Sequence, residues 1–222
     1  MSFKHILFDF DGTLFDSSAG VFKSFDHVVS HYGLDIDKSI YSRMIGPPLK
    51  ESFVSCFHLP ESEVPAAINV YREYYEEAGM YECTVYPGIE ELLTKLRQLG
   101  FKTYVATSKP ELYARQIIER KNMSRYFDFI GGSDLEEKYR VNKIDVISYV
   151  LETQKLSEKK DEVLMIGDRF YDVQGAHEAG IKCMGILWGF GTREEFKECG
   201  ADYIEESTAS VESFFKAIAL EK

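Results

Sequence analysis

Apolar positions along this chain recur with two different spacings, and the changes between them mark its elements. Ile6-Leu7-Phe8 is an apolar run cut off by Asp9 and Gly12, which predicts a short buried strand. Beyond Leu14 the spacing turns helical. Val21, Phe22, Phe25, Val28, Val29 and Tyr32 recur three and four apart, with Gly33 as a stop. The same spacing predicts helices over about 49–57 and 62–78. The second carries Val64, Ala67, Ile68, Tyr71, Tyr74 and Tyr75 on its apolar side and ends at Gly79. Between the early helices, Arg43-Met44-Ile45-Gly46-Pro47-Pro48 reads as a loop, by its glycine and prolines. Residues 16–84 therefore read as an all-helical insert.

From Tyr86-Pro87-Gly88 onward, strand and helix patterns alternate. Helices are expected over 89–99, 111–121, 142–155 and 172–179, with a last one at about 210–219. Strands are expected over 101–107, 127–131, 163–167, 181–187 and 203–204. Repeated β-α-β units of this kind build a parallel sheet with helices on both faces. The expectation is thus an α/β, Rossmann-like core made of residues 1–15 and 85–222, interrupted by the helical insert of 16–84. Active sites in such sheets gather beyond the C-terminal ends of the strands.

Composition narrows the function. The 222 residues are 45% hydrophobic, so a full core is expected and disorder is not. Net charge is −11 with no basic block, which argues against a nucleic-acid polymer as partner, since neutralising phosphates needs clustered Lys and Arg. No run reaches the ~18–20 apolar residues of a membrane span, and Met1 leads into strand-like sequence without the pattern of a signal peptide. Cys56, Cys83, Cys183 and Cys199 lack metal-type spacing and read as free thiols. A cytoplasmic protein, monomer or homodimer, is expected.

The chemistry collects at predicted strand ends. Asp9 and Asp11 end the first strand, and alternation would point both the same way. Two carboxylates so close repel and invite a divalent cation. Thr107 and Ser108 end another strand, and Asp168 follows 163–166. Asp172 sits at a helix start, where it could also be an ordinary cap. Lys143 opens a helix on the same edge and would give the acids a basic partner for an anion, unless it is a solvated surface lysine. Thr107, with the N–H groups after it, could bind phosphate oxygens, or could be a plain strand-end residue.

These segments carry a resemblance. DFDGTLFDS (9–17), VATSKP (105–110), Lys143 and MIGDRFYD (165–172) look like the four signature motifs of the haloacid dehalogenase superfamily, in the usual order. The insert after the first motif resembles the cap of the phosphoglycolate phosphatase-like branch. The resemblance implies Asp9 as nucleophile, forming an aspartyl-phosphate, and Asp11 as the acid and then base. It implies Mg²⁺ held by Asp9, the Asp11 backbone carbonyl and Asp168, with Asp172 acting through water or by orienting Lys143. Gly12, Thr107, Ser108 and Lys143 would hold the phosphoryl group. An acid at position 11 sets the chain apart from the dehalogenases and from ion-pumping ATPases, and favours phosphatase or phosphomutase chemistry. The second motif has Ser108 where relatives often have Asn, and the third lacks their Lys-Pro pair, leaving Lys138 as a rival to Lys143.

Substrate choice is expected to lie in the insert. Arg43 and Gly46 fall where relatives place a specificity loop, so Arg43 is a candidate for a carboxylate or second phosphate, with Lys50 a weaker one. Tyr71, Tyr74 and Tyr75 read as core of the insert, and Trp188 either borders the site or packs at the surface. The implied activity is a Mg²⁺-dependent phosphatase for small phosphorylated metabolites, with phosphoglycolate and 5′-nucleotides leading and pyrophosphate possible. The alternatives are a phosphomutase of the β-phosphoglucomutase type and a phosphate-binding regulator without turnover.

Overall fold

A computed structural model of the protein describes residues 3–136 and 138–220. In chain order the first half holds β1 (His5–Phe8), β2 (Phe15–Asp16), α1 (Ser18–Tyr32), a 3₁₀ helix (Lys38–Met44), α2 (Leu49–Ser55), α3 (Val64–Glu77) and β3 (Thr84–Val85). The second half holds α4 (Ile89–Gln98), β4 (Lys102–Pro110), α5 (Glu111–Arg120), β5 (Phe129–Ser133), α6 (Lys143–Thr153), β6 (Val163–Gly167), α7 (Phe170–Glu178), β7 (Lys182–Ile186), α8 (Arg193–Cys199), β8 (Tyr203–Glu205) and α9 (Thr208–Leu220). Two compact units result, Met1–Phe15 with Val85–Lys222, and Asp16–Thr84. The chain crosses between them at β2 and β3, which pair with each other.

In the larger unit, six strands lie in the order β5-β4-β1-β6-β7-β8, and every pairing is parallel. Strand β6 is buried at every position and β1 at all but His5, as continuous apolar runs require when helices cover both faces of a parallel sheet. One side of the core joins Leu7, Tyr104 and Met165 to Val146, Ile147 and Val150 of α6 and Val173 and Ala176 of α7. Register places Phe8 abreast of Val105 and of Ile166, so β1, β4 and β6 deliver their ends to a common edge.

The smaller unit is built on aromatic rings. The Phe25 ring centroid lies 5.3 Å from Tyr41, 6.3 Å from Phe53, 5.8 Å from Phe57 and 5.4 Å from Tyr71, mostly in edge or tilted contacts. Tyr71 and Tyr75 are buried, and the half-buried Tyr74 donates its hydroxyl to Glu82 at 3.2 Å. The supposed loop at 43–48 is in part helical. Asp37 accepts the Ser39 N–H at 2.9 Å and starts the 3₁₀ helix, which carries Arg43 in its last turn.

Helix α8 was not visible in the spacing, because Phe196 is its one buried residue. A short helix with one inward side chain leaves no periodicity to find. Its cap did leave a trace: Thr192 accepts the Glu195 N–H at 3.2 Å, in a Thr-x-x-Glu segment closed by Gly200. All four cysteines are free thiols, and no helix among the described residues is long and apolar enough to cross a membrane.

Candidate active site

Beyond the central strand β1 the chain turns sharply, and the acids gather there. Asp9 is the first residue past β1, and its N–H donates to the Ile166 carbonyl at 2.9 Å, fixing its backbone beside the end of β6. The strand stops at Phe8. The Phe10 carbonyl then accepts the N–H groups of Leu14 and Phe15, both at 3.0 Å, so Asp11 lies in a turn. Strand alternation therefore does not set its direction, a correction to the reading from the sequence.

Two helix starts supply the next pair. The Asp145 side chain accepts the Asn142 N–H at 2.9 Å, capping α6 so that Lys143 is its first residue. Asp172 is the third residue of α7, and its Oδ2 accepts the Arg169 N–H at 3.1 Å. Helix cap and site group are thus one residue rather than alternatives. The other Asp172 oxygen, Oδ1, lies 2.9 Å from Lys143 Nζ, which is also 2.7 Å from Asp9 Oδ1. The Lys143 ammonium donates in addition to the Ala106 carbonyl at 3.4 Å. Lys143 is buried, not a solvated surface lysine.

Asp168 is fully buried, and its carboxylate is held by two hydrogen bonds. Thr13 Oγ1 donates to its Oδ1 at 3.2 Å and the Phe190 N–H to its Oδ2 at 2.9 Å. Gly12 makes room for it: a Cβ there would fall 2.1 Å from Asp168 Oδ2, and the φ of +77° is one that side chains rarely adopt. Carboxylate oxygens of Asp9, Asp168 and Asp172 all lie within 4.8 Å of one another. The Asp11 carboxylate is not in that group. Its Oδ2 pairs with Lys109 Nζ at 3.1 Å.

The electrostatics follow from burial and crowding. Burial, then the Asp172 and Asp9 charges, push the Asp168 carboxyl well above the ordinary aspartate range. Burial raises Asp172 also, with Asp9 adding to it and Lys143 opposing. For Lys143 burial works against the charge, but Asp172 and Asp9 outweigh it and hold the ammonium above the usual lysine value. Four carboxylates face two ammonium groups, so full ionisation leaves two negative charges in a buried place. That excess, with three converging hard oxygens, fits a divalent cation of the Mg²⁺ type.

Thr107 is buried, and its Oγ1 accepts the Lys109 N–H at 3.1 Å, leaving the hydroxyl hydrogen to donate elsewhere. Ser108 beside it is half-buried. Lys138 is not in the site: its side chain is 62% exposed and pairs with Glu136. Arg43 is exposed, Gly46 has a φ of +105°, and Lys50 pairs with Glu61 at 3.7 Å, all within the smaller unit. Trp188 donates its indole N–H to the Thr13 carbonyl at 3.0 Å, tying it to the turn that carries the acids. Two site neighbours carry no expected role in the sequence pattern. Lys109 sits inside VATSKP, where the run of polar residues at a strand end was a usable signal. Glu195 accepts from Arg169 Nε at 3.1 Å and the Phe170 N–H at 2.8 Å, and its place on the unforeseen α8 hid it.

The family model described as haloacid dehalogenase-like hydrolase matches residues 6–186. The chain belongs to that family. A 5′-nucleotidase from Pseudomonas aeruginosa is 37% identical over 89% of this chain and 88% of its own length. The tyrosine-protein kinase PtkA of Mycobacterium tuberculosis is 33% identical over 93% of this chain and 67% of its own length. Among solved structures, a predicted phosphatase from Clostridium acetobutylicum superposes with a TM-score of 0.92 at 40% identity, over 98% of this chain and 100% of that one. This haloacid dehalogenase-like hydrolase is an enzyme of the phosphatase kind.

Proposed function

We propose that the enzyme hydrolyses small-molecule phosphomonoesters with Mg²⁺, using Asp9 as the nucleophile. The observation that carries this reading is the setting of Asp9. Its carboxylate is buried at the end of the central strand, with one oxygen 2.7 Å from Lys143 and its acid neighbours Asp168 and Asp172 within 4.8 Å. A carboxylate so placed can attack an electrophile whose negative oxygens are matched by the lysine.

In this mechanism Asp9 attacks phosphorus as the bond to the leaving oxygen breaks, and Asp11 gives that oxygen a proton. Water, losing its proton to Asp11, then displaces the Asp9 carboxylate from the aspartyl-phosphate. Lys143, anchored by Asp172, holds a phosphoryl oxygen, and Thr107 with the backbone N–H groups after it holds others. Asp9 and Asp168, with the Asp11 backbone carbonyl, would ligate Mg²⁺, and Asp172 would serve behind them. The ion supplies neutralisation of charge on the group being transferred.

For the substrate, the similarity to a 5′-nucleotidase favours a nucleoside monophosphate, with phosphoglycolate next, and Arg43 is the candidate contact to a second anionic group. The test is phosphate release from a panel of nucleotides, phosphoglycolate, sugar phosphates and pyrophosphate, with Mg²⁺ and with chelator. Steady Mg²⁺-dependent release from monoesters is expected. Turnover that needs a bisphosphate activator would indicate a mutase, and no turnover on any ester would leave a phosphate-binding protein.

A further inference from the structure

Lys109 is a buried ammonium that the mechanism above does not use. Its Nζ lies 3.1 Å from Asp11 Oδ2, with the lysine side chain 6% exposed and the aspartate 13%. The same Nζ lies 5.4 Å from the centroid of the Phe10 ring, so the ammonium rests against an aromatic face beside its partner. The other Asp11 oxygen, Oδ1, is buried and has no hydrogen-bond partner among the described residues. One oxygen of the carboxyl is thus held while the other is left over.

The backbone explains why Lys109 reaches this spot. Strand β4 slips in register against β5 between Thr107 and Pro110, where Pro110 comes to lie opposite Ser133. Irregularities of this kind bend a strand and re-aim the side chains within it. The Lys109 N–H is tied to Thr107 Oγ1 at 3.1 Å, so the bend is fixed by a second group of the same motif. Stability alone does not account for a lysine so held, since removing a strand-end ammonium from water is costly.

We propose that Lys109 is the positioning residue for Asp11. By gripping Oδ2 it fixes the rotamer of the carboxyl and presents Oδ1 to the leaving oxygen, and to water in the second half-reaction. This rests on the reading of Asp11 as the acid and base. In this role Lys109 acts through Asp11 and not on phosphorus or the leaving group itself. Its effect therefore scales with how much the departing oxygen needs a proton: large for alkyl esters, small for p-nitrophenyl phosphate, whose phenolate leaves without one.

The experiment compares Lys109→Met, which keeps the stem against Phe10 and removes the charge, with Lys109→Arg and Asp11→Asn. The readout is kcat/KM across aryl and alkyl monophosphates of graded leaving-group basicity. Thermal melts establish that each variant is folded, and Lys109→Gln replaces Lys109→Met if the latter is not. Lys109→Met should lose about ten- to a hundredfold on alkyl esters, a part of the ~10²–10⁴ that general acid–base help supplies, and only a few-fold on p-nitrophenyl phosphate. Lys109→Arg should recover much of the alkyl activity. In an Asp11→Asn background, Lys109→Met should add little, because the group it positions is already disabled. Equal losses on every ester, or full additivity with Asp11→Asn, would overturn the positioning role. If Asp11→Asn itself shows no dependence on the leaving group, the assignment of Asp11 fails instead, and the two failures are told apart.

Discussion

The two edges of the parallel sheet use the same residue types in opposite ways. At the edge where β1, β4 and β6 end, the Lys143–Asp9, Lys143–Asp172 and Lys109–Asp11 pairs have side chains between 1% and 13% exposed. Across the sheet, where those strands begin, Lys4 pairs with Glu162 at side-chain exposures of 49% and 27%. His177 and Lys182 share Asp202 there, at 41%, 51% and 24%. Exposed pairs contribute about 0–1 kcal/mol, whereas burying charges costs several kcal/mol per ion before attraction offsets it. Surface pairs could come and go with little consequence. The buried set makes sense only where charge is wanted away from water, which is what phosphoryl transfer requires.

The sharpest way to break this contrast is Asp9→Asn. It removes the proposed nucleophile and should leave less than about 1% of wild-type phosphate release, with the fold kept as judged by circular dichroism. Activity near that of the wild type would show that the buried edge is structural. Asp11→Asn should follow, slowing turnover by ~10²–10⁴ on poor leaving groups in a steady-state assay. Unchanged kinetics would remove its role as acid and base.

Much of this edge was legible in the chain, and the reason is physical. Asp9, Asp168 and Lys143 each stand next to a boundary that apolar spacing marks clearly, and a parallel sheet brings such boundaries together. Asp172 was legible in place but read as either cap or site group, because one-dimensional spacing cannot show that its two oxygens serve both at once. For Asp11 the strand rule does not apply, because β1 ends at Phe8. Lys109 depends on a register slip, which no periodicity records. In the smaller unit Tyr71 and Tyr75 of α3 were readable as core because an aromatic stripe at helical spacing tends to be buried, while Tyr74 is only half-buried. Arg43 lies where glycine and prolines suggested a loop, yet the 3₁₀ helix capped by Asp37 runs on through Arg43 and Met44.

A milder test sharpens the contrast through pH. Asp168 and Asp172 have pKa values raised above the usual 3.8 by burial and neighbouring charge, Asp172 to about 6. Between 3.8 and about 6 the folded protein therefore binds more protons than the unfolded chain. Without divalent cation, the contribution of these two groups to stability should fall as pH rises through that window. Mg²⁺ held as proposed would favour the folded, ionised site, so it should raise Tm more at pH 7 than at pH 5; at a hundred times Kd its full stabilisation is about 2.7 kcal/mol. Melting curves at both pH values, with Mg²⁺ and with chelator, measure it. An equal Mg²⁺ effect at both would mean that the ion stabilises through some other place.

The smallest expected effects lie at the opposite edge, and they decide whether the contrast is one of position or merely of residue type. Lys4→Ala removes a pair of 2.7 Å, as short as that between Lys143 and Asp9. Distance alone would rank the two equally. Exposure does not: water and salt screen the first, and replacing it should shift stability by no more than ~0.5 kcal/mol. Turnover should stay within about twofold, since that shift corresponds to less than a factor of three even if all of it reached the barrier. Repeating the melts at low and high salt isolates the pair, because screening at ~1 M salt should erase what little difference there is. A loss from Lys4→Ala comparable with that from Lys143→Met would break the contrast, for it would show that charge pairing anywhere along these strands, and not burial beside Asp9, governs the chemistry.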